Sequence, residues 1–326
     1  MSIYELENFR VSNLKKLKML KFFMPLFILI PLCVKHTIGS VNLLYFGVGV
    51  AVFTSEMKYK FYILGAYLIL YIFLFRLNLP NDFTIIFALN ISGFLFYCAV
   101  FQTTKHEIQN KFTEHFQNTY LESCVEKFGF EFERYGKIKY GLIRDSKIFK
   151  QGYKLHADNK IFGKFNGLDF EFARLFLYDK DKKIDPICGA FFHATFDKSI
   201  NSKFFIVAND AKFSATKNLK KFVTNDSKFD EIFSVYSNNI QNAEYILTPA
   251  FMKRVMNLER RLNFPICISI MDKKICIFLD TGEEIFNPNI NKSVLNKNPT
   301  FTIKRAILQC LAIIKTLNLS KEIFAS

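Results

Sequence analysis

Two histidine–carboxylate pairs are the residues of this sequence best suited to chemistry. His156 and Asp158 stand two apart, and His193 and Asp197 four apart. An imidazole titrates near neutral pH and a neighbouring carboxylate can hold its tautomer, so either pair could serve as a general base with its orienting group. Such pairs also arise by chance, and the competing reading is a surface or hydrogen-bonded structural role. Asp280, Glu283 and Glu284 could offer carboxylates to a metal, but Gly282 among them reads as a solvated turn.

The wider inventory is thin. His36, His106 and His115 form no H-E-x-x-H arrangement, and Cys33, Cys98, Cys124, Cys188, Cys267, Cys276 and Cys310 form no C-x-x-C pair. No metal site is signalled, and the odd cysteine count fits a reducing compartment. There is no G-x-G-x-x-G, Walker-type loop or G-x-S-x-G elbow, so no cofactor is implied and an enzymatic role is open but disfavoured.

The net charge of +15 raises the question of nucleic acid. Lysine outnumbers arginine 35 to 9 and is scattered, with 40 Phe and no Trp, a usage that an AT-rich genome would produce. Phosphate and base readers concentrate arginine, whose planar fork matches those acceptors, so no nucleic-acid partner is expected.

The first hundred residues show four apolar blocks between short polar spacers. A helix needs roughly 20 apolar residues to cross a bilayer. The blocks predict spans near 19–34, 37–54, 60–77 and 83–101, making 22–101 a transmembrane region behind a cytoplasmic tail, 1–21. The first block carries Pro25 and Pro31, which leaves its span open. Arg10, Lys15, Lys16, Lys18 and Lys21, then Lys58 and Lys60, then Lys105 and Lys111 flank the same side, which the positive-inside rule places in the cytoplasm. Lys105 and Lys111 would then lie within reach of anionic lipid headgroups.

Beyond the apolar blocks, Ile108, Phe112, Phe116, Tyr120, Val125 and Phe128 recur at helical spacing, predicting an amphipathic stalk helix over 102–129. From about residue 130 the period shortens. Asn166-Gly167 between alternating runs is the strongest hairpin signal. Further strands are predicted at 187–196, 203–208, 229–236, 266–271 and 275–279, the last two joined at Asp272-Lys273-Lys274. Thr248-Pro249 and Asn298-Pro299 each open a helix. The fold class is therefore α+β: N-terminal membrane helices followed by an antiparallel-rich mixed domain over 130–326.

The stretch from Tyr153 to Phe286 resembles an uncharacterised bacterial family in which a cytosolic domain of unknown function follows membrane helices. The matching residues are Asn166 to Phe172, Gly189 to Phe192 with Phe196-Asp197-Lys198, Phe229 to Ser237, Ala243 to Pro249, and Ile285-Phe286. The resemblance implies architecture and brings no site residue with it. Together these features predict an integral protein of a bacterial inner membrane whose cytoplasmic domain binds a protein or lipid headgroups without catalysis. The alternatives are an enzyme at the membrane surface and an accessory subunit of a transporter or envelope complex.

Overall fold

In the computed structural model the described residues are 2–23, 83–150, 152–165, 167–179, 186–211, 219–281, 285–296 and 298–319, with isolated positions between 47 and 69. They divide into two units, Met1–Phe116 with Asn289–Asn296, and Gln117–Pro288 with Lys297–Ser326.

The first unit is helical. Ser2 and Glu5 form a reciprocal cap, Ser2 N donating to Glu5 Oε2 at 2.6 Å and Glu5 N to Ser2 Oγ at 3.2 Å. Behind it α1 runs over Ile3–Phe23. Its buried residues Leu6, Arg10, Asn13, Leu17 and Leu20 recur every three or four positions and so share one face. The second helix, α2, runs unbroken over Phe83–His115. The pair meets where Tyr97 donates its hydroxyl to Leu20 O and where Phe9 sits edge-on to His115, centroids 4.8 Å apart.

The segment Asn289–Asn296 completes this unit by hydrogen bonds to α1 and α2. Glu7 accepts from Ser293 Oγ at 2.9 Å and Val294 N at 3.1 Å, while Arg10 Nη1 donates to Ile290 O at 2.9 Å. Gln109 Oε1 accepts from Ile290 N at 3.0 Å.

These observations correct the membrane reading. Among the described residues no helix is long and apolar enough to cross a membrane. The expected tail, 1–21, is largely the capped helix α1, whose buried face joins Leu6, Leu17 and Leu20 to Arg10 and Asn13. The expected fourth span and stalk are not separate elements, because the apolar run and the polar run of Lys105, Glu107, Lys111 and Glu114 belong to the one helix α2. A π-helical turn over Phe116–Leu121 and α3, Glu122–Glu126, then follow, and Ile108, Phe112, Phe116 and Val125 of the predicted 102–129 stripe are buried. The predicted spans 19–34, 37–54 and 60–77 lie largely outside the described residues. The inner-membrane location and the bilayer as a partner, which rested on those spans, are withdrawn with them.

The second unit is mixed α+β around an open sheet of seven strands. Its elements are β1 (Glu131–Glu133), α4 (Tyr140–Asp145), β2 (Tyr153–Phe165), β3 (Leu168–Asp179), β4 (Ile187–Ala208), β5 (Lys220–Phe222), α5 (Ser227–Ile232), β6 (Phe233–Ser237), α6 (Ile240–Ile246), α7 (Pro249–Leu262), β7 (Ile266–Asp280) and α8 (Pro299–Leu319). The order is β1-β2-β3-β4-β6-β5, with β7 against β4, and every pairing is antiparallel.

Strand β7 doubles back on itself. Asp280 N donates to Pro265 O at 2.9 Å, bringing its two ends together, whereas 15 extended residues would span about 50 Å. The bend falls at Asp272, whose φ is +54°. Strand β4 embraces this hairpin: its first half pairs with 274–280, its second with 267–271, and Ile200 pairs with Asp272 at the tip.

The β2–β3 connection is the two-residue turn predicted, with Gly167 at φ +83°. Thr248 caps α7 by accepting from Phe251 N at 3.2 Å, and Asn298 Oδ1 caps α8 through Thr300 N at 3.0 Å. The predicted strand over 229–236 is half helix instead. Asp226 accepts from Lys228 N and Phe229 N and so nucleates α5, leaving only β6 extended.

The sheet is covered on both faces at its centre, where Ala190 to Ala194 are all buried. One face carries Ala173, Leu175, Leu177, Phe191, Phe205 and Phe278 against Ile138, Ile143 and Ile148. The other carries Phe170 stacked on Phe192 at 5.8 Å, and Phe172 against Phe286 at 5.9 Å.

Candidate functional site

The first predicted pair lies on β2, and a bulge decides its surroundings. The ladder with β3 slips by one residue between Asp158 and Ile161, where Asn159 takes φ +53°. Below the slip Ile161 opposes Phe172; above it Asp158 opposes Arg174 and His156 opposes Phe176. One residue of slip exchanges the faces of a strand. Lys154, His156 and Asp158 thereby share a face with Arg174, Phe176 and Tyr178.

On that face Arg174 grips Asp158 with two parallel donors, Nε to Oδ1 at 2.5 Å and Nη2 to Oδ2. Asn159 Nδ2 donates to the same Oδ1 at 3.0 Å. The guanidinium lies 4.7 Å over the Phe176 ring, which stacks on Tyr178 at 5.9 Å. His156 Nε2 stands 3.4 Å from Asp158 Oδ2, long for a charge-assisted bond, and its side chain is half exposed. Asp158 is thus committed to Arg174 rather than to orienting His156. The arrangement presents a pre-set guanidinium, two aromatic rings, an imidazole and a lysine, which suits recognition better than proton transfer.

Of the second pair, only the His193 side chain is among the described residues. His193 sits within β4, between Glu171 of β3 and Cys276 of β7. Asp197 lies in the same strand four residues on, and its side chain is outside the described residues. The imidazole is 6% exposed, and its buried Nε2 has no hydrogen-bond partner among the described residues. Burial, with a smaller push from Lys274, lowers its pKa from 6.5 to about 4 and keeps it neutral. Burial likewise pushes the neighbouring Cys276 thiol up to about 12. A thiol held protonated beside a neutral imidazole is a poor nucleophile, so the row reads as packing.

The remaining predicted positions scatter. Asp280 closes β7, while Glu283 and Glu284 lie outside the described residues. No group of three or more potential metal ligands occurs among the described residues. Lys105 and Lys111 are both exposed on α2, six residues apart and so on different sides of the helix. Lys111 borders a groove of the first unit with Lys16 and His115; Lys105 does not.

Sequence reasoning missed Arg174, Phe176 and Tyr178. The hairpin turn alone sets a register that pairs Asp158 with the buried Leu175, and only the bulge brings it to Arg174. It also missed a cleft of about 310 Å³ lined by Phe128, Phe130, Phe165, Lys304, Ile307 and Leu308, contributed by segments far apart in the chain.

Comparison with known proteins adds a family outline. A family model described as a protein of unknown function (DUF3137) matches residues 187–319. No curated protein matches the chain. A similar solved structure is that of the mycobacterial trehalose monomycolate transport factor A, TtfA, at 10% identity, covering 60% of this chain and 96% of that one with a TM-score of 0.34. The resemblance to a membrane-anchored family is corrected accordingly. The matched region begins at 187, beyond the Asn166 to Phe172 motif, and no described helix supplies the anchor.

Proposed function

We propose that the chain is an accessory subunit that docks a protein partner on the outer face of β2 and β3. The observation that carries this reading is the 41%-exposed Tyr178 stacked on Phe176, a ring held under the largely buried Arg174 guanidinium that Asp158 fixes. Arginine and tyrosine are the side chains that dominate protein interfaces, because they bring large contact area and directed donors at small entropic cost. Lys154 and His156 extend the face with further donors. The complementary partner segment carries a carboxylate beside an apolar side chain.

A photo-crosslinking amino acid in place of Tyr178, in cells, tests the reading. One discrete crosslinked protein is expected, lost when Phe176→Asp is added while the melting temperature holds. Absence of any discrete product, or its persistence in the Phe176→Asp protein, removes the proposal.

A further inference from the structure

The cleft beside α8 is built from fixed walls. Gly129, at φ +74°, turns the chain out of α3, with Gly129 N donating to Glu126 O at 2.8 Å. This places Phe128 and Phe130 on the cleft wall. Phe130 is held from two sides: it lies edge-on to Phe170 at 4.8 Å, and a Cβ at Gly163 would come within 2.9 Å of its ring. Glycine at 163 is therefore what lets that ring seat against the strand. Ile307 and Leu308 of α8 form the opposite wall.

Two features distinguish this cleft from an ordinary surface hollow. Its walls leave large apolar groups open to water, with Phe128 38% and Leu308 45% exposed. Its rim is cationic. Lys304 Nζ sits 4.1 Å from the Phe128 ring centroid and forms no ion pair among the described residues. Lys164, also on the rim, reaches Asp169 only at 3.7 Å between two largely exposed side chains, a pairing weak enough to exchange.

We infer that this cleft binds a single acyl chain ending in a carboxylate, the chain lying along Phe128, Phe130 and Leu308 and the carboxylate meeting Lys304. A concave apolar surface with one convergent charged group is the usual form of a small-ligand site. At about 310 Å³ the cleft is at the small end for such sites, which suits one medium-length chain rather than a two-tailed lipid. The ammonium selects an anion over a neutral head. The inference is independent of the partner surface on β2 and β3.

Isothermal titration of the full-length protein with decanoate and with decanol tests it. Saturable one-site binding of decanoate is expected, about tenfold tighter than decanol, with octanoate weaker again because fewer methylenes are buried. Lys304→Gln is expected to weaken decanoate about tenfold and leave decanol unchanged, whereas Leu308→Asp weakens both. Non-saturable uptake, equal affinity for the acid and the alcohol, or a decanoate affinity untouched by Lys304→Gln overturns it. Lys304→Gln keeps the test sharp should Leu308→Asp fail to fold.

Discussion

Asp158 shows how much one residue's meaning depends on register. Its two bonds to Arg174 are partly buried, so removing the carboxylate strands a guanidinium against the sheet. Asp158→Ala is expected to destabilise the fold by about 2 kcal/mol, while His156→Ala, half exposed and at the edge of the pair, stays within about 0.5 kcal/mol. Urea unfolding of the two variants checks the contrast. The histidine and the aspartate were legible in the sequence as a pair, but their true partner was not. A two-residue turn fixes pairing only as far as the first bulge, and nothing in the string Ala157 to Lys160 announces one.

His193 carries the opposite lesson, since burial rather than spacing sets its behaviour. Its folded pKa of about 4 lies below the 6.5 of a free imidazole. Between those values the unfolded chain binds a proton that the folded protein refuses, so stability must fall as pH drops through that window. Roughly 2–3 kcal/mol should be lost between pH 7 and pH 4.5 on this account alone. In His193→Leu that part of the slope disappears, as paired urea titrations at the two pH values will show. Equal slopes in both proteins would place the acid sensitivity elsewhere.

At the scale of elements, β4 and β7 are the least legible and the most consequential. Each arm of both strands was visible as an apolar run, and the bend at Asp272 as a polar break. What was hidden is nesting: the β7 hairpin lies between the two halves of β4, a long-range pairing that local pattern does not encode. Gly189 marks how closely these strands approach. A Cβ there would collide with Leu279 O and come within 2.5 Å of the Phe278 ring. Gly189→Ala is expected to cost about 1–3 kcal/mol, seen as a lowered denaturation midpoint with an unchanged m-value. Helix boundaries fared better where a side chain caps them, as at Thr248 and Asn298, because capping is local chemistry. The apolar blocks misled for a related reason. Composition measures how apolar a stretch is, but not that α2 continues through Lys105 and Lys111 as one element.

For the molecule as a whole, the return of Asn289–Asn296 to the first unit is the defining connection. Glu7 anchors it. Arg10 holds the Glu7 carboxyl below the usual range by its hydrogen bonds, Ser293 and Val294 adding to this against the cost of burial. A carboxyl shifted down stabilises the fold above its unfolded value of 4.5, and that contribution fades as pH falls further. Glu7→Gln keeps the shape but weakens the acceptor. Exchange of the Val294 amide is then expected to quicken roughly tenfold at neutral pH, read by hydrogen exchange. Unchanged exchange would show that other contacts hold the segment.

The same connection sets a schedule for synthesis. The helix bearing Glu7 and Arg10 is made well before the residues that satisfy it, which belong to 289–296. Translating the intervening chain at about 5–20 residues per second takes roughly 15–55 s. Throughout that interval this helix is present without the segment that completes its unit, a period in which a chaperone or a competing chain has its best opportunity to bind it.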